Sequence, residues 1–457
     1  MNKTSTPFLR DRGQTSAVTA LGFLGISGVC LVTCLGILLG FPEVLAGDPL
    51  RTEVLALAAL AVPGFVASFV FGTFYAVASL LSGSGLWSRP LALLHLATHA
   101  LGMGWLVAAY GGMPFFEQPY LGIAIGGGII LAGVAMLVVN LMLTAARHNR
   151  WEPAQLTVVA SLFWLLLAGG AALARVLEPH LAWLPAQLRA QMEGFILLGL
   201  AGFLWLGLLG AVLKLVSMFA VGDRAPGALS WTGLVFINGV FFALVPLIAS
   251  YFAPPLGLVA AGVFLGSLGY FADLARLLAT ARKRADAGLM TALAGIVAGL
   301  ALLLWFTLGQ PHLSGAEAAI VLETARVATV WMIFATVTLV ALGLGLRLLP
   351  FLVWRIRCAP WMGQQGVPTP AELERPGSRL PVAVCLLTGA GYLLAGQMAE
   401  HPAGTQLGVL CLLVGAGWFA HAIAPAVSLF VLGPQPPKPA DTAIPAAPPA
   451  KPIRSIS

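Results

Sequence analysis

Few residues of this chain could do chemistry inside an apolar environment, and their spacing is informative. His95 and His99 are four apart in one apolar run, so on a helix they share a face. His421 lies in a second run near the C terminus. Counted from the Lys- and Arg-rich ends of those runs at 1.5 Å per residue, His99 is roughly 14 Å deep and His421 roughly 16 Å. A metal or a bis-imidazole haem needs two imidazoles at matching depth, and neutral imidazole is a good ligand for either. His99 and His421, with His95 as substitute, are therefore the candidate cofactor-binding residues, and haem b is the cofactor they would take. The alternative is that each imidazole hydrogen-bonds a neighbouring helix, since polar groups within a membrane need partners.

Asp273 is the one carboxylate well inside an apolar run, which makes it the candidate for an ion pathway. Its simpler assignment is a pair with Arg276, one turn on. Cys30 and Cys34, also four apart, suit a soft ion such as Cu(I), or simple packing. Lys214 and Arg347 stand near the ends of their runs, where long side chains can snorkel to the interface. No catalytic residue is identified, and the reading leans against an enzyme.

The elements that must hold these residues follow from composition. Hydrophobic residues make up 59% of the 457 and charged residues 9%, with a mean hydropathy of +0.94. A soluble domain carries about a quarter charged residues, so that class is excluded. Five cysteines exclude a disulfide scaffold. The net charge of +7 fits membrane orientation better than a nucleic-acid face.

A helix needs about 20 apolar residues to cross a bilayer. Twelve stretches qualify: 15–41, 54–82, 90–110, 119–146, 155–176, 192–220, 230–251, 255–281, 288–310, 324–354, 380–398 and 405–432. With the N terminus in the cytoplasm, only Arg51, Arg175, Arg189 and Arg326 of the 24 Lys and Arg fall outside. One span more or fewer would invert everything downstream. The positive-inside rule thus predicts twelve spans with both termini cytoplasmic. Residues 1–14 read as a cytoplasmic N-terminal segment, 15–432 as the membrane domain, and 433–457, rich in Pro and Ala, as a disordered cytoplasmic tail. The linker 358–379 reads as an inner loop with a short surface helix.

The second, sixth and tenth stretches end alike. Aligned on Gly72, Gly210 and Gly343, they recur at nearly equal intervals. The fourth and eighth end on Leu143-Thr144-Ala145-Ala146-Arg147 and Leu278-Ala279-Thr280-Ala281-Arg282, separated by a matching interval. The common period spans four helices. The fold class expected is all-α, a polytopic membrane protein of twelve helices in three four-helix arcs.

That plan resembles the catalytic subunit I of haem–copper oxidases and nitric oxide reductases, and the related nitric-oxide-response membrane proteins. Leu349-Pro350-Phe351-Leu352-Val353-Trp354 and Leu215-Val216-Ser217-Met218-Phe219 are similar to the helix endings of that group. The resemblance covers about residues 15–432. It implies histidines on the second, sixth, seventh and tenth helices, holding haems and copper. None of His95, His99, His148, His180, His312, His401 and His421 falls there, and Gln191-Met192-Glu193 stands where such relatives place His-x-His. What the resemblance implies is therefore a non-catalytic or haem-b-binding accessory protein of respiratory, nitrogen-oxide or metal metabolism. Its membrane would be the inner membrane of a bacterium, and its partners the lipid bilayer and other respiratory subunits, with no nucleic acid. A small-molecule or ion transporter, or a structural subunit of a membrane complex, is the rival reading.

Overall fold

The computed structural model describes residues 7–46, 52–81, 86–111, 119–147, 152–178, 185–186, 191–220, 227–249, 256–281, 285–309, 327–362 and 366–433. Within these, twelve helices are long and apolar enough to cross a bilayer. Lipid offers no partner to a backbone N–H or C=O, so each spanning segment must satisfy them internally, and a helix does so. We number the spans α1 (Pro7–Gly40), α2 (52–81), α3 (Arg89–Tyr110), α4 (Pro119–Ala146), α5 (Pro153–Val176), α6 (Met192–Ala220), α7 (Ala228–Ala249), α8 (Leu256–Ala279), α9 (Ala287–Gly309), α10 (327–357), α11 (Arg379–Met398) and α12 (Pro402–Leu432). Part of the expected N-terminal segment is already helical, because α1 begins at Pro7. The expected tail lies, from residue 434, outside the described residues. We call the side on which α1 begins the basic face.

Burial sorts the spans into two shells. In α2, α6 and α10, 61%, 72% and 72% of the membrane window is buried, against 28–44% in the other nine. These three touch one another at the centre. Neighbours in sequence pack as pairs around them, and α12 returns to α1 to close the ring.

The threefold repeat is visible in individual contacts. A Cβ on Gly72 would lie 3.0 Å from the Ala20 carbonyl oxygen; on Gly210, 3.0 Å from that of Ala154; on Gly343, 2.6 Å from that of Gly288. Ala20, Ala154 and Gly288 are evenly spaced along the chain. Each inner helix is thus pressed against the first helix of its arc at the same place. Between apolar helices in lipid, such close backbone approach is a main source of attraction.

Polar contacts at the basic face repeat as well. Glu152 caps the start of α5 and pairs with Lys214 of α6 at 2.5 Å. Asp286, one repeat further along the chain, accepts from the Leu289 N–H at the start of α9 and pairs with Arg347 of α10 at 2.6 Å. Lys214 and Arg347 are thus each paired with a carboxylate at this face. The third-arc cluster is larger: Asp286 also pairs with Arg379, which pairs with the buried Glu374 at 2.5 Å, and Arg347 donates to the Phe219 carbonyl at 3.3 Å. The first arc has a hydroxyl instead, Ser16 donating to the Tyr75 carbonyl at 2.5 Å.

Two inner helices carry a wide turn that the apolar pattern does not announce. Leu60–Ala67 in α2 and Trp331–Val337 in α10 are π-helical, whereas α6 is regular throughout. Both wide turns end at a buried hydroxyl that reaches five residues back: Ser68 to the Pro63 carbonyl at 3.4 Å, Thr338 to that of Ile333 at 3.3 Å. Pro63 accounts for the first, since it lacks an N–H and clashes with the preceding turn. Nothing in the local sequence accounts for the second.

The linker after α10 holds two short 3₁₀ turns, Ala359–Trp361 and Pro370–Leu373, the latter started by a Thr369–Glu372 capping box. It is clamped between the ends of α10 and α12. Trp354 donates to the Pro368 carbonyl at 2.8 Å, the Arg375 N–H donates to the Ala422 carbonyl at 3.0 Å, and Val353, Leu373 and Ala426 form a small core.

The close contact at Gly343 leaves no space for a methyl, because Ala292 N also lies 2.7 Å from the Cβ position. Gly343→Ala should destabilise by about 1–3 kcal/mol through overpacking. Gly391→Ala, at a position open for at least 4 Å, should leave the melting temperature in detergent unchanged. Equal melting temperatures for the two variants would refute the contact.

Burial raises the Asp286 carboxyl, but the Leu289 N–H and the Arg347 and Arg379 guanidiniums outweigh it and hold it below the ordinary value of 3.8. A depressed folded-state value stabilises above the unfolded one, and that gain is lost as pH falls through the folded value. The melting-temperature gap between wild type and Asp286→Asn should be full at neutral pH and close below about pH 4. A gap that does not narrow on acidification would remove the network from the stability of this face.

Candidate functional site

The local start of α3 is set by Ser88, whose hydroxyl accepts from the Leu91 N–H at 3.3 Å, with Pro90 in the first turn. Asn140 of α4 holds that start: its carbonyl accepts from the Ser88 N–H at 3.0 Å and its amide donates to the Ser88 carbonyl at 2.9 Å. One buried face of α3 then carries His95, His99 and Met103 at successive turns.

Both histidines are fully buried and both meet α2. Tyr75 Oη is 3.0 Å from His95 Nδ1, and Ser68 Oγ is 2.8 Å from His99 Nε2. Ser68 stands at the end of the π segment, so the wide turn in α2 is what brings its hydroxyl to the imidazole. The other nitrogen of each ring, His95 Nε2 and His99 Nδ1, has no hydrogen-bond partner among the described residues. The Pro63 carbonyl of the π segment also faces His99. Phe23 of α1 and Phe71 of α2 cover the pair. Their ring centres lie 4.7 and 5.0 Å from His95 and 5.3 and 5.4 Å from His99. The imidazole centres are 6.2 Å apart.

Sulfur surrounds the next turn. Cys30 and Cys34 are free, buried, and on one face of α1. A Cβ on Gly64, within the π segment, would lie 2.7 Å from Cys30 Sγ and 2.9 Å from Met103 Cε, so the two side chains converge there.

His421 is placed elsewhere. It is exposed, 3.1 Å from the Arg375 guanidinium through Nε2, with Trp418 against its ring. The Arg375 N–H bonds the next residue of α12, Ala422, so His421 is level with the turn that leads into α11. His421 thus meets the linker clamped by α10 and α12, and the structure does not bring it to His99. His401 starts α12 by accepting from the Gly404 N–H at 3.2 Å. His148, His180 and His312 lie outside the described residues.

Asp273 is buried at the start of α7. Its Oδ2 accepts from the Ser230 N–H at 2.8 Å and the Ser230 hydroxyl at 2.6 Å, while Oδ1 makes the expected ion pair with Arg276 at 3.9 Å and has no hydrogen-bond partner among the described residues. A carboxylate at a helix N terminus satisfies an orphan N–H and meets the positive end of the helix dipole. Asn140, one repeat earlier in the chain, does the same for α3. In both arcs the fourth helix thus ties down the start of the third.

Among the described residues, no three or more His, Cys, Asp or Glu side chains converge as a metal cage. Sequence reasoning found the two α3 histidines but missed their partners Tyr75 and Ser68, and missed Met103 and Gly64. The one available signal was Pro63, a helix disruptor with Ser68 five residues on.

The chain matches no protein-family model, and no curated protein is similar to it by sequence.

If Asp273 serves as the cap of α7, Asp273→Asn should melt within a few degrees of wild type, because an amide oxygen still accepts from Ser230. Asp273→Leu should cost about 1–2 kcal/mol. Full stability of Asp273→Leu, read by thermal unfolding in detergent, would dismiss the capping role.

Proposed function

We propose that this protein is a non-catalytic membrane protein on the plan of haem–copper oxidase subunit I, acting as an accessory component of respiratory, nitrogen-oxide or metal metabolism. Its membrane is the bacterial cytoplasmic membrane, with the basic face and both termini in the cytoplasm. The observation that carries this reading is the filling of the three inner helices. Phe65, Phe69, Phe71, Phe203, Trp205 and Phe334 are buried on α2, α6 and α10. In an oxidase those same helices must present imidazoles to metals. Here Trp205 of α6 is tied to Ser267 of α8 at 2.7 Å, and its ring lies where a Cβ on Gly299 of α9 would be, 2.6 Å from Cζ3. Support for the reading is that the buried faces of α2, α6 and α10 carry aromatic side chains and, among the described residues, no imidazole.

Haem b held by His99 and His421 does not fit this arrangement. His99 is enclosed by Phe23, Phe71 and Ser68, while His421 is exposed beside Arg375. For the transport alternative, Asp273 gives Oδ2 to the start of α7, while its buried Oδ1 has no hydrogen-bond partner among the described residues.

Purification after expression with ample haem should give a protein without a Soret band. Membranes containing it should consume oxygen and nitric oxide no faster than control membranes. A reducible haem spectrum that disappears in His99→Ala would overturn this reading and restore the histidines as haem ligands.

A further inference from the structure

We propose that Arg375 and His421, where the linker meets α12, bind the phosphate of an anionic phospholipid whose acyl chain lies along the exposed face of α12. This goes beyond the accessory role proposed above and does not depend on it.

The site starts from a tight turn. Arg375-Pro376-Gly377-Ser378 suits a type II turn, with Pro in second place and Gly in third, where φ must be positive. Gly377 has a φ of 78°. The Ser378 N–H closes the turn on the Arg375 carbonyl at 3.4 Å, and the Ser378 hydroxyl donates to the same carbonyl at 2.7 Å. On its other side, the Arg375 N–H donates to the Ala422 carbonyl of α12 at 3.0 Å. The backbone of Arg375 is thus fixed between the start of α11 and α12, while its side chain and that of His421 are exposed.

Charge points to the ligand. Arg375 Nη1 lies 3.1 Å from His421 Nε2 and 3.4 Å from Nδ1. A neutral imidazole has one acceptor nitrogen, whereas a guanidinium has five N–H groups to place. Among the described residues no carboxylate pairs with Arg375. The acids beside it in sequence are committed, Glu374 to Arg379 and Glu372 to the Thr369 N–H. A phosphodiester accepts from a guanidinium through two oxygens at once and supplies the missing negative charge.

Position points to its source. The α11 span begins at Arg379, four residues on, and the ends of a span stand at the level of lipid headgroups. Trp418, of a residue type that favours that level, stands edge-on to His421 with ring centres 5.5 Å apart. Leu407, Leu410, Val414 and Trp418 recur every three or four residues towards His421 and are 41–45% exposed. Any lipid-facing helix has such an apolar stripe. This one ends on a cationic pair, which matches one acyl chain joined to one phosphate, and basic sites beside spans are where anionic lipids bind.

The test titrates the full chain in detergent with dioleoyl phosphatidylglycerol or dioleoyl phosphatidylcholine and counts bound lipid by native mass spectrometry. Phosphatidylglycerol should bind more tightly than phosphatidylcholine, and inorganic phosphate at equal concentration should not displace it. Arg375→Ala should weaken phosphatidylglycerol by about 10-fold, as for one charge-assisted hydrogen bond, and His421→Ala by about 3-fold, as for a neutral one. Arg147→Ala removes the same charge from an exposed site at the end of α4. In about 0.15 M salt it should alter binding by less than about 2-fold, because remote charges are screened. Equal affinity for the two lipids, displacement by inorganic phosphate, or equal losses in Arg147→Ala and Arg375→Ala would overturn the proposal. The first two comparisons need only the wild type, so they decide the matter even if a variant does not fold.

Discussion

Two helices in lipid gain nothing from hiding apolar surface from each other, because the tails around them are equally apolar. What holds them is close packing, and close packing needs small residues at the crossing. In this protein that constraint is met three times at one position. Gly72, Gly210 and Gly343 lie against the backbone of Ala20, Ala154 and Gly288. Each contact seats an inner helix against the first helix of its arc, and the three inner helices then make the axis of the molecule. The two shells and the closure of α12 onto α1 follow from that seating.

Polar residues are fitted around this packing and do one kind of work in several chemical forms. The start of a helix exposes N–H groups that lipid cannot satisfy. In the first arc Asn140 meets them for α3, and in the second Asp273 does so for α7. In the third arc the linker N–H of Arg375 instead bonds the Ala422 carbonyl of α12, which leaves this task without a counterpart there among the described residues. The pairs Glu152–Lys214 and Asp286–Arg347 tie neighbouring helices at the same face. Repetition makes the roles readable: an amide and a carboxylate at equivalent positions share a structural task, whatever their charge.

The first arc departs from its two counterparts where chemistry is concerned. Its inner helix carries the π turn that brings Ser68 to His99, and its outer helices bring two thiols and a thioether to the same level. Neither α7 nor α11, the counterparts of α3, carries a histidine. All three inner helices carry buried Phe or Trp side chains. The two buried histidines and the pair Cys30 and Cys34 therefore sit in a single arc.

The amino-acid sequence alone determined the number of spans, their period of about four helices and the special standing of the second, sixth and tenth. Length and apolarity decide crossing, and a repeat in sequence must repeat in packing. It also marked His95 and His99 as partners, because helical spacing puts residues four apart on one face. It did not show that His421 stands exposed beside Arg375, since that contact depends on how the linker is clamped between α10 and α12. Nor did it show Ser68 and Tyr75 against the imidazoles, or Met103 against Cys30. Those meetings join different helices, and their register depends on a wide turn in α2 and a missing side chain at Gly64. Only the tertiary structure could decide them, because a rotation of one helix by a single residue moves every side chain it carries by about 100°.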